Sequence, residues 1–187
     1  SKSIKRKNIV KIRGQELIKF SFNELLKLKR IVKKTIISTD DPIIKKITKK
    51  YKFEIFDRKK KLSGDLVNSV DVVIDVLKKS LDIYGYLPKF FFLIQPTSIF
   101  LKSEHIVNLT NKLQTGKFKS AQTIIKVPHQ FHAYNQRYLK HQKTGFIFER
   151  KRMKMHNKQT KPTFYAYGNL IASKTDQFIK DQNFFLK

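Results

Sequence analysis

Cysteine is absent from the 187-residue chain. That excludes a disulfide frame, a thiolate nucleophile and a cysteine-type zinc site, and it leaves redox chemistry silent about compartment. Tryptophan is also absent, alanine occurs four times, and glycine and proline number only six and five. No Gly-rich phosphate loop, G-x-S-x-G or H-E-x-x-H pattern can be found. Long apolar runs are lacking too. Phe90-Phe91-Phe92-Leu93-Ile94 is the longest, far short of the roughly 18 residues of a membrane-spanning helix. It reads as a buried strand, and no secretory signal is visible.

Acidic residues are scarce: 14 against 41 Lys and Arg, for a formal charge of +27. Self-repulsion at that level points to a polyanionic partner. The imbalance is uneven. Residues 1–61 carry +15, 62–116 are neutral, and 117–187 carry +12. This division predicts a basic N-terminal extension over 1–50, an α/β core over 51–127 and a basic, aromatic-rich C-terminal extension over 128–187. Lys, Ile and Phe dominate with 34, 21 and 16 residues, a bias of A/T-rich codons that suggests an A/T-rich genome, organellar or parasitic.

The neutral centre has clear periodicity. Leu66, Val70, Val73, Leu77 and Leu81 form one stripe. They predict a helix over about 64–84, with Ser63 as its cap, Asp65 at its positive end and Gly85 as its stop. Tyr51–Phe56, Phe90–Ile94 and Ala121–Val127 read as strands, and Ser103 is the expected cap of a second helix through about Leu113. The expected fold is α+β, a small ferredoxin-like split βαβ core with two helices on one face of a sheet. Gln15–Ile37 is expected to be one basic amphipathic helix.

Candidate chemistry is sparse. His129 and His132 lack the partners of a closed metal site. Asp71 and Asp75, one helical turn apart beside Lys78 and Lys79, suit surface ion pairs better than acid–base catalysis. The expectation is therefore no enzyme, no catalytic residue, no cofactor, no metal and no small-molecule substrate. The basic residues are instead read as RNA contacts: Lys5, Arg6, Lys7 and Arg13 in the first extension, then Arg137, Tyr138, Lys140, His141, Lys143, Arg150, Lys151, Arg152, Lys154, Lys158 and Lys161 in the second. Cations release counterions from phosphates, and rings between them can stack on bases.

A neutral core between two basic arms resembles a ribosomal protein. Tyr86-Leu-Pro88, Pro96-Thr97, the 103–113 helix, Gly116 and Thr123–Val127 are similar, in order, to ribosomal protein ten of the small subunit. The central hairpin of that family, with its Ser-Pro-His tip, is missing. The resemblance implies a structural role in an organellar ribosome, in the mitochondrial matrix, with ribosomal RNA and neighbouring ribosomal proteins as partners and no transmembrane segment. The alternatives from other classes are a basic peripheral subunit of a mitochondrial membrane complex and a degenerate organellar nuclease or maturase.

Overall fold

A computed structural model describes residues 4, 6–64 and 66–185. The chain divides into two compact units, Ser1–Gln122 with Asn169–Lys187, and Thr123–Gly168.

The first unit begins with a short hairpin, β1 (Lys11–Ile12) paired with β2 (Gln15–Glu16), and runs directly into helix α1 (Leu17–Leu26). The expected helix to Ile37 stops at Leu26 because the chain turns through the cation-rich 27–34 segment. It then extends at the β-branched Thr35-Ile36-Ile37 run. There β3 (Ile36–Thr39) forms, followed by α2 (Pro42–Lys50) and β4 (Glu54–Asp57). Asp41 starts α2 by accepting the N–H groups of Ile43 and Ile44, with Pro42 in the first turn. β3 and β4 pair in parallel, Ile37 opposite Ile55, so this segment is a βαβ crossover.

Helix α3 (Ser69–Tyr84) follows. Its cap is Asn68, which accepts the Val70 N–H, and not Ser63; Leu66 stands fully exposed before the helix begins. Asp65 lies outside the described residues. Gly85 ends the helix at φ 73, in the left-handed region that favours glycine, and its N–H reaches the Leu81 carbonyl. Then come β5 (Phe90–Ile94), α4 (Ser103–Gln114) and β6 (Ser120–Lys126). The chain leaves the unit at Gln122 and returns at Asn169. Its return strand β9 (Tyr165–Lys174) lies between β5 and β6 in one three-stranded sheet, and α6 (Thr175–Asp181) ends the fold.

The five consecutive apolar residues of β5 are explained by burial on both faces. Phe90, Phe92 and Ile94 pack with Leu25, Ile106, Leu109, Leu113, Leu170 and Ala172, under α1 and α4. Phe91 and Leu93 pack with Val70, Val73, Leu77, Ile171, Phe178 and Phe184, under α3 and α6. Helices thus cover both faces of β5 and β9. A strand sandwiched in this way reads as a continuous apolar run, not an alternating one.

This overturns the ferredoxin-like expectation. That reading placed helices on one face only, left out the β3–α2–β4 crossover and assigned residues after 127 to an extension. Leu170 and Ala172 are completely buried in a central strand.

The second unit holds β7 (Arg137–Lys140) and β8 (Lys143–Phe146), an antiparallel hairpin, and the short helix α5 (Glu149–Lys154). A ring cluster organises it. His132 stacks on Phe164 at 4.5 Å, and Tyr134 meets both edge-on. His132 accepts the Tyr134 N–H at Nδ1 and donates from Nε2 to the Pro162 carbonyl, which fixes its neutral tautomer.

Candidate active site

In open α/β sheets, ligands bind where strands deliver their carboxyl ends. β3 and β4 are parallel, so Thr39 and Asp57 end on the same side. α3 then runs back along β4. Past its midpoint Lys79 donates to the Asp57 carbonyl at 2.6 Å, and at its carboxyl end Tyr84 bonds the Glu54 carboxylate and stacks on Phe56. β5 follows α3, and Gln95–Ser98 lie just past its carboxyl end.

Arg58 is the organising cation at this end. Its Nε donates to the Ser38 hydroxyl at 3.1 Å and its Nη2 to the Ser38 carbonyl at 2.5 Å. Burial lowers its pKa, while Asp40 and Asp75 raise it. It stays charged, because guanidinium is never deprotonated in proteins. Among the described residues Nη1 has no hydrogen-bond partner, so the fork can take an anion. Lys59, Lys60 and Lys61 follow directly. Lys59 lies 3.8 Å from Asp75, which pairs more closely with Lys79 at 2.7 Å.

The neighbouring acids have different tasks. Thr39 is buried and its hydroxyl accepts the Asp41 N–H. Asp41 is committed to capping α2. Asp40 is exposed beside them. After β5, Ser98 is buried and donates its hydroxyl to the Asn169 carbonyl at 2.8 Å, while its N–H closes a turn on Gln95. That turn holds Gln95 and Thr97 in solvent. A fixed guanidinium, a lysine run and presented amide and hydroxyl groups are the means of holding a phosphorylated, hydrogen-bonding ligand.

The residues read from the sequence as RNA contacts fall elsewhere. Lys5 lies outside the described residues. Arg6 and Arg13 adopt positive φ, and Lys7 opens a 3-10 turn, all near the β1–β2 hairpin. Arg137, Tyr138, Lys140 and Lys143 line the β7–β8 hairpin, whose tip is His141 and Gln142 at φ 47 and 62. Arg150, Lys151, Arg152 and Lys154 belong to α5, and Lys158 opens a later 3-10 turn. The structure brings some of these together. Arg152 and Lys161 both donate to Asn135 Oδ1, at 2.5 and 2.7 Å. Arg137 and Arg152 both lie over the Phe146 ring, at 4.6 and 4.1 Å.

Sequence reasoning missed Ser38, Asp40, Arg58 and Gln95. The available signal was Ser38-Thr-Asp-Asp-Pro42, a strand end followed by an Asp-Pro helix start. It was overlooked between two stretches read as one basic arm.

The model for the cytidylyltransferase family matches residues 1–183. The chain belongs to that family. No curated protein matches it by sequence. Among solved structures, a CMP:2-keto-3-deoxy-manno-octonic acid synthetase complexed with CTP superposes with a TM-score of 0.65 at 13% identity, covering 94% of this chain and 70% of the other. The 4-diphosphocytidyl-2C-methyl-D-erythritol synthase of Anaerococcus prevotii DSM 20548 superposes with a TM-score of 0.58 at 15% identity, covering 92% and 68%. A further synthase of the same name gives 0.61 at 10% identity, covering 98% and 76%. At these identities the likeness is one of fold, the Rossmann-like nucleotidyltransferase fold.

Family and fold together overturn the ribosomal reading. This is a cytidylyltransferase-type enzyme and not a non-catalytic ribosomal constituent. The expected ribosomal RNA and ribosomal protein partners go with that reading, as does the expectation of no small-molecule substrate. The membrane-complex and nuclease alternatives are likewise unsupported. The reading went wrong because net charge reports on solubility and association, not on fold. Among the described residues no helix is long and apolar enough to cross a membrane.

Proposed function

We propose that the chain transfers the cytidylyl group of CTP to a small hydroxyl- or phosphate-bearing acceptor. An acceptor oxygen attacks the α-phosphorus of CTP, the bond from that phosphorus to the bridging β-phosphate oxygen breaks, and pyrophosphate leaves. The acceptor proton passes to solvent. The family match over residues 1–183 carries this reading. The solved synthetase with CTP supports the choice of nucleotide.

The roles follow from the geometry at the strand ends. Arg58, braced on Ser38, is placed to pair with a phosphate oxygen, and Lys59–Lys61 supply further charge for a triphosphate. Such charge counts most where it meets the negative charge gathering on departing pyrophosphate. Gln95 and Thr97 supply the donors and acceptors that a base or sugar requires. Label from α-phosphate-labelled CTP, incubated with 2-keto-3-deoxy-manno-octonic acid and with a methylerythritol phosphate, tests the reaction. Transfer of label with matching pyrophosphate release is expected for one acceptor class. Absence of CTP binding by the intact chain would sink the proposal.

A further inference from the structure

The second unit contains a cleft of about 280 Å³ that the strand-end site does not use. Lys126, His129, His132, Lys158, Lys161 and Thr163 are among its lining residues. Over residues 123–168 there are ten Lys and Arg, with Glu149 as the single carboxylate.

Cations on a free surface spread apart into water. Here two are held together. Asn135 ties Lys161 and Arg152 to one oxygen, and its amide nitrogen donates to the His129 carbonyl at 2.6 Å and lies 3.4 Å from His129 Nε2. The ring of His132 is locked by hydrogen bonds at both nitrogens. Ordering like charges together costs free energy that an anion in the cleft recovers.

We infer that this cleft binds a doubly charged oxyanion of the phosphate class, held by Lys126, Lys158 and Lys161, with His129 as a fourth cation acquired on binding. A single carboxylate would offset only one of these charges. The groups that face His129 are Lys161, Lys158 and Arg152, with the neutral His132 beside them, and burial together with the charge of the three cations lowers its pKa from the ordinary value. It is therefore neutral in the empty cleft at pH 7. A dianion opposes those cations and raises the His129 pKa, so binding takes up a proton. By linkage, affinity grows as pH falls. The inference does not depend on the transfer reaction, and its test uses neither CTP nor acceptor.

Sulfate is the probe, because it does not titrate between pH 5 and 8. The imidazole resonances of the intact chain are followed over that range in sulfate, in chloride and in acetate at equal ionic strength. His129→Gln assigns the resonance, and His105 in the other unit is the internal control. Sulfate is expected to raise the His129 midpoint by about one pH unit, a tenfold difference in sulfate affinity between the two protonation states. Acetate and chloride are expected to leave it alone. The double variant Lys158→Gln, Lys161→Gln abolishes the rise, and Lys158→Arg alone, which keeps the charge, retains it. An identical midpoint in sulfate and chloride, or an equal rise in acetate, overturns the inference.

Discussion

Leu170→Ala separates a chain with a folded C-terminal strand from one with a basic tail. Leu170 is 0% exposed and sits in the cluster under α1 and α4, opposite Ile94 of β5. The change removes three buried carbons, worth ~2.4 kcal/mol at about 0.8 each. A central strand clamped between helices cannot collapse far. If roughly 60 Å³ stays empty, the cavity adds ~1.4 kcal/mol at about 24 cal/mol per Å³. The total of ~4 kcal/mol predicts a fall in Tm of about 8–16 °C for a chain of this size. Urea unfolding followed by far-UV circular dichroism measures it. A loss under ~1 kcal/mol with an unchanged urea slope would show that β9 is not a core strand.

Arg58→Lys keeps the charge but loses the fork that reaches both oxygens of Ser38. CTP affinity by calorimetry is expected to fall at least about tenfold, since a charge-assisted hydrogen bond contributes ~1.5–3 kcal/mol. An unchanged Kd would remove Arg58 from the site. Gly168→Ala places a Cβ 2.6 Å from the Thr123 hydroxyl and 2.9 Å from its carbonyl oxygen. That contact should cost ~1–3 kcal/mol, read as a lowered urea midpoint. Asp41→Ala removes the cap of α2 and should cost about 1 kcal/mol, whereas Asp41→Asn should cost little. Glu24 and Asp57 have depressed pKa values, through hydrogen bonds from Lys27 and Lys45 respectively. Their stabilisation is complete above the ordinary carboxylate pKa and is lost as pH falls through the depressed folded values. Urea midpoints should therefore decline below about pH 4.5, and less steeply in Glu24→Gln; identical profiles would deny the pairing a role.

Local order was legible where apolar spacing was strict. The Phe90–Ile94 strand and Gly85 as a helix stop appear as the residues imply, and so does the 103–113 helix, although its cap is Lys102 and not Ser103. The strand over Ala121–Val127 appears as Ser120–Lys126. The arrangement of these elements was not legible, for two physical reasons. The β3–α2–β4 crossover lies in the most cationic third of the chain, where α2 buries only Ile44, Ile47 and Thr48 and turns its lysines outward. A short helix covered with lysine reads as a solvated arm. β9 begins as Tyr-Ala-Tyr-Gly, largely exposed, and becomes buried only from Leu170. Its polar first half hid a central strand. The site was less legible still. Arg58 gains its meaning from Ser38, twenty residues away, and only parallel pairing brings them together. Asp75 was read correctly as an ion-paired residue, with Lys79 as its partner.

CTP titrated into the uniformly ¹⁵N-labelled intact chain tests the central claim most directly. The strand-end site predicts saturable shifts at Ser38, Asp40, Arg58 and Gln95–Ser98, weaker or absent with GTP. No saturable response to CTP, or shifts confined to residues 137–161, would contradict it.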